Sequence, residues 1–167
     1  MMKQEELFLT VLSDHKGILY KVARAYCPDP GHRKDLIQEI TLQLWRSFDK
    51  YHGKFKYSTW IYKVALNVAI SYYRKISKEQ ERVFSISDSI LNFPTDESED
   101  IYQEDIRLLY RFIEGLKPID KAIMLLYLEE KSHQEMAKII GISPSNVSTK
   151  LHRIKTYLKE QFSQHTA

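Results

Sequence analysis

The stretch from Ser132 to Lys155 reads SHQEMAKIIGISPSNVSTKLHRIK. Ser132 is followed three residues later by Glu135, a capping box in which hydroxyl and carboxylate satisfy the free backbone donors of a helix start. The short helix it opens carries Met136, Ala137, Ile139 and Ile140, and Gly141 can take the left-handed conformation that ends it. Ser143 then caps a second helix with Pro144 in its first turn, where a missing backbone donor costs nothing. In that helix Val147, Leu151, Ile154 and Leu158 recur at four, three and four, so one stripe packs inward. The opposite side must be polar, and it holds Ser145, Asn146, Ser148, Thr149, Lys150, His152, Arg153 and Lys155. Such a mix bonds phosphates and base edges when a helix lies in a major groove. The expectation is a helix-turn-helix on duplex DNA; the competing reading is a solvated helix face.

Outward from this motif the chain is expected to be all-α. Only five glycines and five prolines punctuate its 167 residues, and apolar positions recur at three and four rather than at two. Helices are expected at roughly 3–14, 17–27, 32–48, 59–77, 103–115, 119–130, 133–140 and 144–161, with Pro28-Asp29-Pro30-Gly31 as a turn. Residues 79–102 mix serine, acid and one proline with little periodicity, which reads as a flexible acidic linker. Two small helical domains follow, 1–78 and 103–167. No internal repeat is visible.

Charge is unevenly placed. Lys50 to Lys78 holds seven Lys or Arg and no acid, while Val83 to Ile106 holds seven Asp or Glu and no Lys or Arg, against a net charge of only +3. Blocks of this kind mark partners or tails. Within the basic block, KYHGKFKYSTWIYKVALNVAISYYRK (Lys50–Lys75) interleaves Lys54, Lys56, Lys63, Arg74 and Lys75 with Tyr51, Phe55, Tyr57, Trp60, Tyr62, Tyr72 and Tyr73. Rings stack bases and cations hold phosphates, the combination that single-stranded nucleic acid requires. Ile61, Ala65, Val68 and Tyr72 form an inward stripe, so Tyr72 and part of Trp60 are read as core. Asn67 interrupts the apolar run VALNVAI on the side of Lys63 and Arg74, where an amide can read a base turned out of the stack or can equally be a satisfied core group. In the preceding helix Leu36, Ile40, Leu44 and Phe48 face inward, leaving Asp35, Gln38, Glu39 and Gln43 as an acidic, amide-rich outer side. Acid beside a DNA-binding segment suits a basic protein partner, or simply water.

Other function classes find little support. No apolar run approaches the roughly 20 residues of a membrane-spanning helix, and the N-terminus lacks the pattern of a signal peptide, so a cytoplasmic protein with no membrane contact of its own is expected. The single Cys27 excludes internal disulfides and cysteine-built zinc sites. The six histidines form no metal-ligand pair at helical spacing, and no phosphate loop or nucleophile elbow occurs, so no metal, no cofactor and no enzymatic activity are expected.

These residues resemble the bacterial sigma-70 family, specifically its small extracytoplasmic-function members that keep only regions two and four. DLIQEITLQLWRSFDKY (Asp35–Tyr51) is similar to the region-two helix that binds the clamp helices of the largest subunit of core RNA polymerase. YSTWIYKVALNVAISYYRK (Tyr57–Lys75) is similar to the segment that opens and reads the minus-10 element, and Leu116–Phe162 resembles region four, whose second helix reads the minus-35 element.

The resemblance implies that Asp35, Gln38 and Glu39 contact polymerase. It implies that Asn67 holds a flipped base, that Lys63, Arg74 and Lys75 follow the backbone, and that the loop Tyr51 to Tyr57, with Lys54 and Lys56, sets base preference beside Trp60. Ser145, Asn146, Ser148, Thr149, Lys150, His152 and Arg153 would face the minus-35 duplex. Many members have Gly-Thr-Val-Lys-Ser-Arg where this chain has Ser145 to Lys150, so one cation is missing and minus-35 preferences do not carry across. The implied protein is an initiation factor that binds core polymerase, promoter DNA in duplex and single-stranded form, and an anti-sigma factor. The rival is a conventional helix-turn-helix regulator with an N-terminal sensor or dimerisation domain.

Overall fold

The computed structural model describes residues 3–51, 53, 55–82 and 101–166. Among them the chain forms eight helices and no strand, as the all-α expectation requires: α1 (Gln4–Asp14), α2 (Lys16–Tyr26), α3 (Pro30–Phe48), α4 (Tyr57–Arg82), α5 (Ile101–Glu114), α6 (Pro118–Leu128), α7 (His133–Ile140) and α8 (Pro144–Thr166).

The caps read from the sequence organise the C-terminal unit. The Glu135 amide donates to the Ser132 hydroxyl at 3.1 Å, and Gly141 ends α7 at φ 88°, a conformation that favours glycine. The Asn146 amide donates to the Ser143 hydroxyl at 3.1 Å, starting α8.

Several boundaries differ from expectation. Pro30 and Gly31 belong to α3 rather than to a turn, because the Asp29 side chain accepts from the Gly31 amide at 3.3 Å and proline suits a first helical position. Arg33 braces this corner, donating to the carbonyls of Cys27 and Pro28 at 2.8 and 2.9 Å. Helix α4 begins at Tyr57 and runs to Arg82, since no glycine or proline interrupts it and its last turns are strong helix formers. The expected linker therefore starts inside α4 and ends inside α5; 83–100 lie outside the described residues. Helix α8 likewise continues past 161 to Thr166.

Two helices set the N-terminal unit. Leu36, Ile40, Leu44 and Phe48 of α3 are buried, as are Trp60, Ile61, Tyr62, Ala65, Leu66 and Ala69 of α4, with α2 completing the packing. Each such aliphatic side chain contributes about 1.5–3 kcal/mol. In the C-terminal unit Ile123, Leu126 and Met136 pack against Val147, Leu151, Ile154 and Leu158.

The two units share one continuous core, because α2 packs on α5 and α6 and α4 packs on α6 and α7. A lysine lies at the centre of this contact. Lys121 of α6 is only 1% exposed. A buried ammonium without partners costs several kcal/mol. Here its Nζ lies 4.4 Å from the ring centroid of Tyr73 and 5.2 Å from that of Tyr26. Desolvated contacts of this kind return about 2 kcal/mol or more. Burial lowers the ammonium to about 8, while the nearby Glu114 carboxylate and Cys27 thiol pull the other way. Burial raises Glu114 in turn, partly offset by Lys121.

Cys27 borders the same contact, 4% exposed, with its thiol pushed up to about 11 by burial. At pH 8 its labelling by a disulfide reagent should run about 100-fold slower in the native protein than in urea, since only the thiolate reacts. The native rate should keep rising through pH 9 and 10, where the unfolded thiol has levelled off. Equal native and unfolded rates at pH 8 would contradict this burial.

Candidate nucleic-acid interface

Helix α4 divides its side chains by depth. Trp60, Tyr62 and Ile61 are buried, whereas Lys63, Asn67, Arg74 and Lys75 are exposed. Of the readings open for Asn67, the buried one is thereby removed: the amide faces outward between apolar neighbours. Tyr62 is 1% exposed and belongs to the core, although the sequence grouped it with the candidate stacking rings; burial and the Glu129 charge push its ionisation up. Trp60, 9% exposed, is largely core.

Before α4 the chain turns through Gly53 at φ 71°, and the rings close on one another. Tyr51 lies 4.9 Å from Tyr57 and 5.1 Å from Trp60 between centroids, and its hydroxyl donates to the Phe55 carbonyl. Tyr51 and Tyr57 are half-buried, Phe55 is 41% exposed and Lys56 is exposed. Lys54 lies outside the described residues.

These residues border a cleft of about 350 Å³ whose wall includes Lys50, Tyr51, Phe55, Trp60, Lys63 and Asn67. Cations, aromatic rings and one outward amide thus converge on a space of the size that takes a small planar group. Sequence reasoning missed two members of that wall, Lys138 and Ile139, which come from α7 in the other unit. No local signal could have placed them there.

Asn67 also borders a second, wider cleft of about 780 Å³ between α3 and α4, shared by Asp35, Glu39, Gln43, Tyr72 and Lys75. On α3 the side chains of Asp35, Gln38 and Glu39 are exposed, and the Gln43 amide donates to Glu39 at 3.1 Å. Leu42 and Trp45, 40% and 39% exposed, extend the same side with apolar surface. The spacing of 35, 38, 39, 42 and 45 would have revealed this, since three and four steps share a helix face.

On α8 the inward stripe is buried as read, and Ser145, Asn146, Ser148, Thr149, His152 and Arg153 are exposed, with Lys150 half-buried. The Thr149 hydroxyl donates to the Ser145 carbonyl at 3.0 Å, so it is engaged within its own helix. Lys155 departs from the expected polar face: its Nζ lies 4.2 Å over the Tyr127 ring. The two basic surfaces therefore sit on different units, one shaped as a cleft and one as a helix face.

Comparison with known proteins accounts for both units. Residues 11–79 match the family model of sigma-70 region 2, and residues 106–158 match that of sigma-70 region 4. The chain is 25% identical over 159 residues to the RNA polymerase sigma factor SigV of Bacillus subtilis, covering 95% of this chain and 92% of that one. It is 27% identical over 165 residues to the ECF RNA polymerase sigma factor SigM of the same organism, covering 96% and 95%. Among solved structures, the sigma factor RpoE in complex with the anti-sigma factor NepR from Bartonella quintana matches with a TM-score of 0.72 at 18% identity, covering 95% of this chain and 96% of that one. CnrH in complex with the cytosolic domain of CnrY matches at 0.67 and 15% identity, covering 94% and 88%.

Proposed function

Because the chain belongs to the sigma-70 family, we propose that it is an extracytoplasmic-function sigma factor that binds core RNA polymerase and directs promoter recognition and opening. The observation that carries this reading is the α3–α4 pair, which presents acid on one side and an outward amide among cations and rings on the other. A regulator that only docked on duplex DNA would need α8 and not this cleft.

In this reading the chain divides into a region-two domain, residues 1–78, a linker and a region-four domain, residues 103–167. Asp35, Gln38 and Glu39 dock on the clamp helices of polymerase, with Leu42 and Trp45 adding apolar contact. Arg153, Lys150, Asn146 and the neighbouring Ser145, Ser148 and His152 meet the minus-35 duplex; Thr149, engaged in its own helix, contributes surface. Region two then captures the unpaired minus-10 strand: Lys63, Arg74 and Lys75 hold phosphates, Asn67 bonds a flipped base, and Tyr51, Phe55, Tyr57 and Trp60 border it. Base stacking on aromatic side chains contributes about 1–3 kcal/mol per base. Two weak sites on one tether gain effective concentration once polymerase fixes their spacing. No group of the chain needs to make or break a bond, and the work is done in the cytoplasm, beside polymerase and DNA. Unused basic surfaces bind DNA indiscriminately. An anti-sigma factor is therefore a fitting partner, as the two structural neighbours have partners of their own.

Three variants separate the roles. Asp35→Lys with Glu39→Lys should abolish binding to core enzyme in a pull-down while leaving the fold intact by circular dichroism; undiminished binding would remove that face from the account. Asn67→Ala should still bind core enzyme but leave promoter thymines unreactive to permanganate, and normal reactivity would exclude the base pocket. Arg153→Ala should weaken promoter binding by about 1–3 kcal/mol if it reads a base. An equal loss on every sequence would make it a phosphate contact.

A further inference from the structure

The cleft beside α4 takes a wall from each unit, and both walls are already held in place. On the N-terminal side the rings brace one another: Tyr51 lies 4.9 Å from Tyr57 and 5.1 Å from Trp60 between centroids, and its hydroxyl donates to the Phe55 carbonyl. On the other side Ile139 of α7 borders the cleft while being only 4% exposed, as part of the continuous core. A ligand entering such a space has little chain to order, which keeps the entropic cost of binding small.

The charge of the lining selects the ligand. Lys50 and Lys63 of the N-terminal unit and Lys138 of α7 border the cleft, and among the described residues that line it there is no Asp or Glu. An anion is attracted and a cation is not. Aromatic and aliphatic side chains supply most of the remaining lining, which suits an anion that carries a flat apolar body. Asn67 adds an amide, whose donor and acceptor lie side by side and match paired groups on a nucleobase edge. Asn67 also borders the second cleft, where Asp35 and Glu39 repel a phosphate. The base therefore belongs at the amide and the phosphate at the lysines. At about 350 Å³ the space lies within the roughly 300–1,000 Å³ that small-molecule sites occupy.

We propose that this cleft is a composite site for a free nucleoside phosphate, with Lys138 completing it from the C-terminal unit. This rests on the reading of the cleft as a pocket that takes a base. A promoter strand needs only the N-terminal wall, where Lys63 and Asn67 are exposed, whereas the free nucleotide uses both walls. Occupied, the cleft ties α7 to α4, and the nucleotide competes with unpaired DNA for one amide. The consequence is an initiation factor whose strand capture responds to nucleotide level.

The test is titration calorimetry on the full chain with AMP, chosen because an Asn amide pairs well with adenine, alongside adenosine and inorganic phosphate. AMP should bind at one site per chain, about tenfold or more tighter than either fragment alone. Lys138→Ala should weaken AMP about tenfold, the order of one charge-assisted hydrogen bond. Asn67→Ala should weaken AMP while leaving the affinity for inorganic phosphate unchanged, and circular dichroism checks that both variants, altered at exposed positions, still fold. Equal affinity for AMP and inorganic phosphate would reduce the site to a lysine surface for any anion and overturn the proposal. Undiminished AMP binding by folded Lys138→Ala, or no binding at millimolar AMP, would overturn it too. If AMP fails to bind while the polymerase-bound chain still holds permanganate-reactive promoter thymines, this proposal falls and the cleft reading stands. If neither is observed, the cleft reading falls with it.

Discussion

The packing of α3 on α4 is the constraint on which the rest depends. Leu36, Ile40, Leu44 and Phe48 meet the buried side of α4, and that seam leaves each helix one free side. The free side of α3 is acidic and amide-rich, that of α4 basic and amide-bearing, and Asn67 stands where the two clefts meet. In the proposed reading, opposite charges on adjacent ridges let one small unit face a protein and a nucleic acid without either surface competing for the other's partner. Loss of the seam would remove both at once.

The C-terminal unit solves a simpler problem with local means. Two serine caps and one left-handed glycine set the angle between α7 and α8, and a buried stripe turns the polar side of α8 outward. Its more unusual feature is on the reverse, where α6 gives up a lysine to the interior of the contact. Burying Lys121 against Tyr26 and Tyr73 makes the contact specific in a way an apolar patch would not, because a cage for a cation has one register.

Much of this was legible in the residues. Helical periodicity, the Ser132 and Ser143 caps and Gly141 are local features, and local features survive folding. The boundary of α3 was misplaced because a Pro-Gly pair reads as a turn until Asp29 is seen capping it. The end of α4 was misplaced because polar helix formers resemble a linker when nothing apolar marks their period. Tyr62 sat among stacking candidates because composition does not say which side of a helix a ring occupies; its depth is set by α3 and the C-terminal unit. Lys121 gave no signal at all. A lysine in the middle of the run Pro118 to Leu128 looks like an exposed charge, and only tertiary contact over more than 40 residues of sequence supplies its rings.

The most direct measurement is run-off transcription from fragmented genomic DNA, using purified core RNA polymerase with and without this protein. The account predicts discrete new transcripts that require both components, with start sites preceded by a shared pair of elements. Absence of transcripts and of core binding, together with tight sequence-specific binding of duplex DNA by the protein alone, would contradict it.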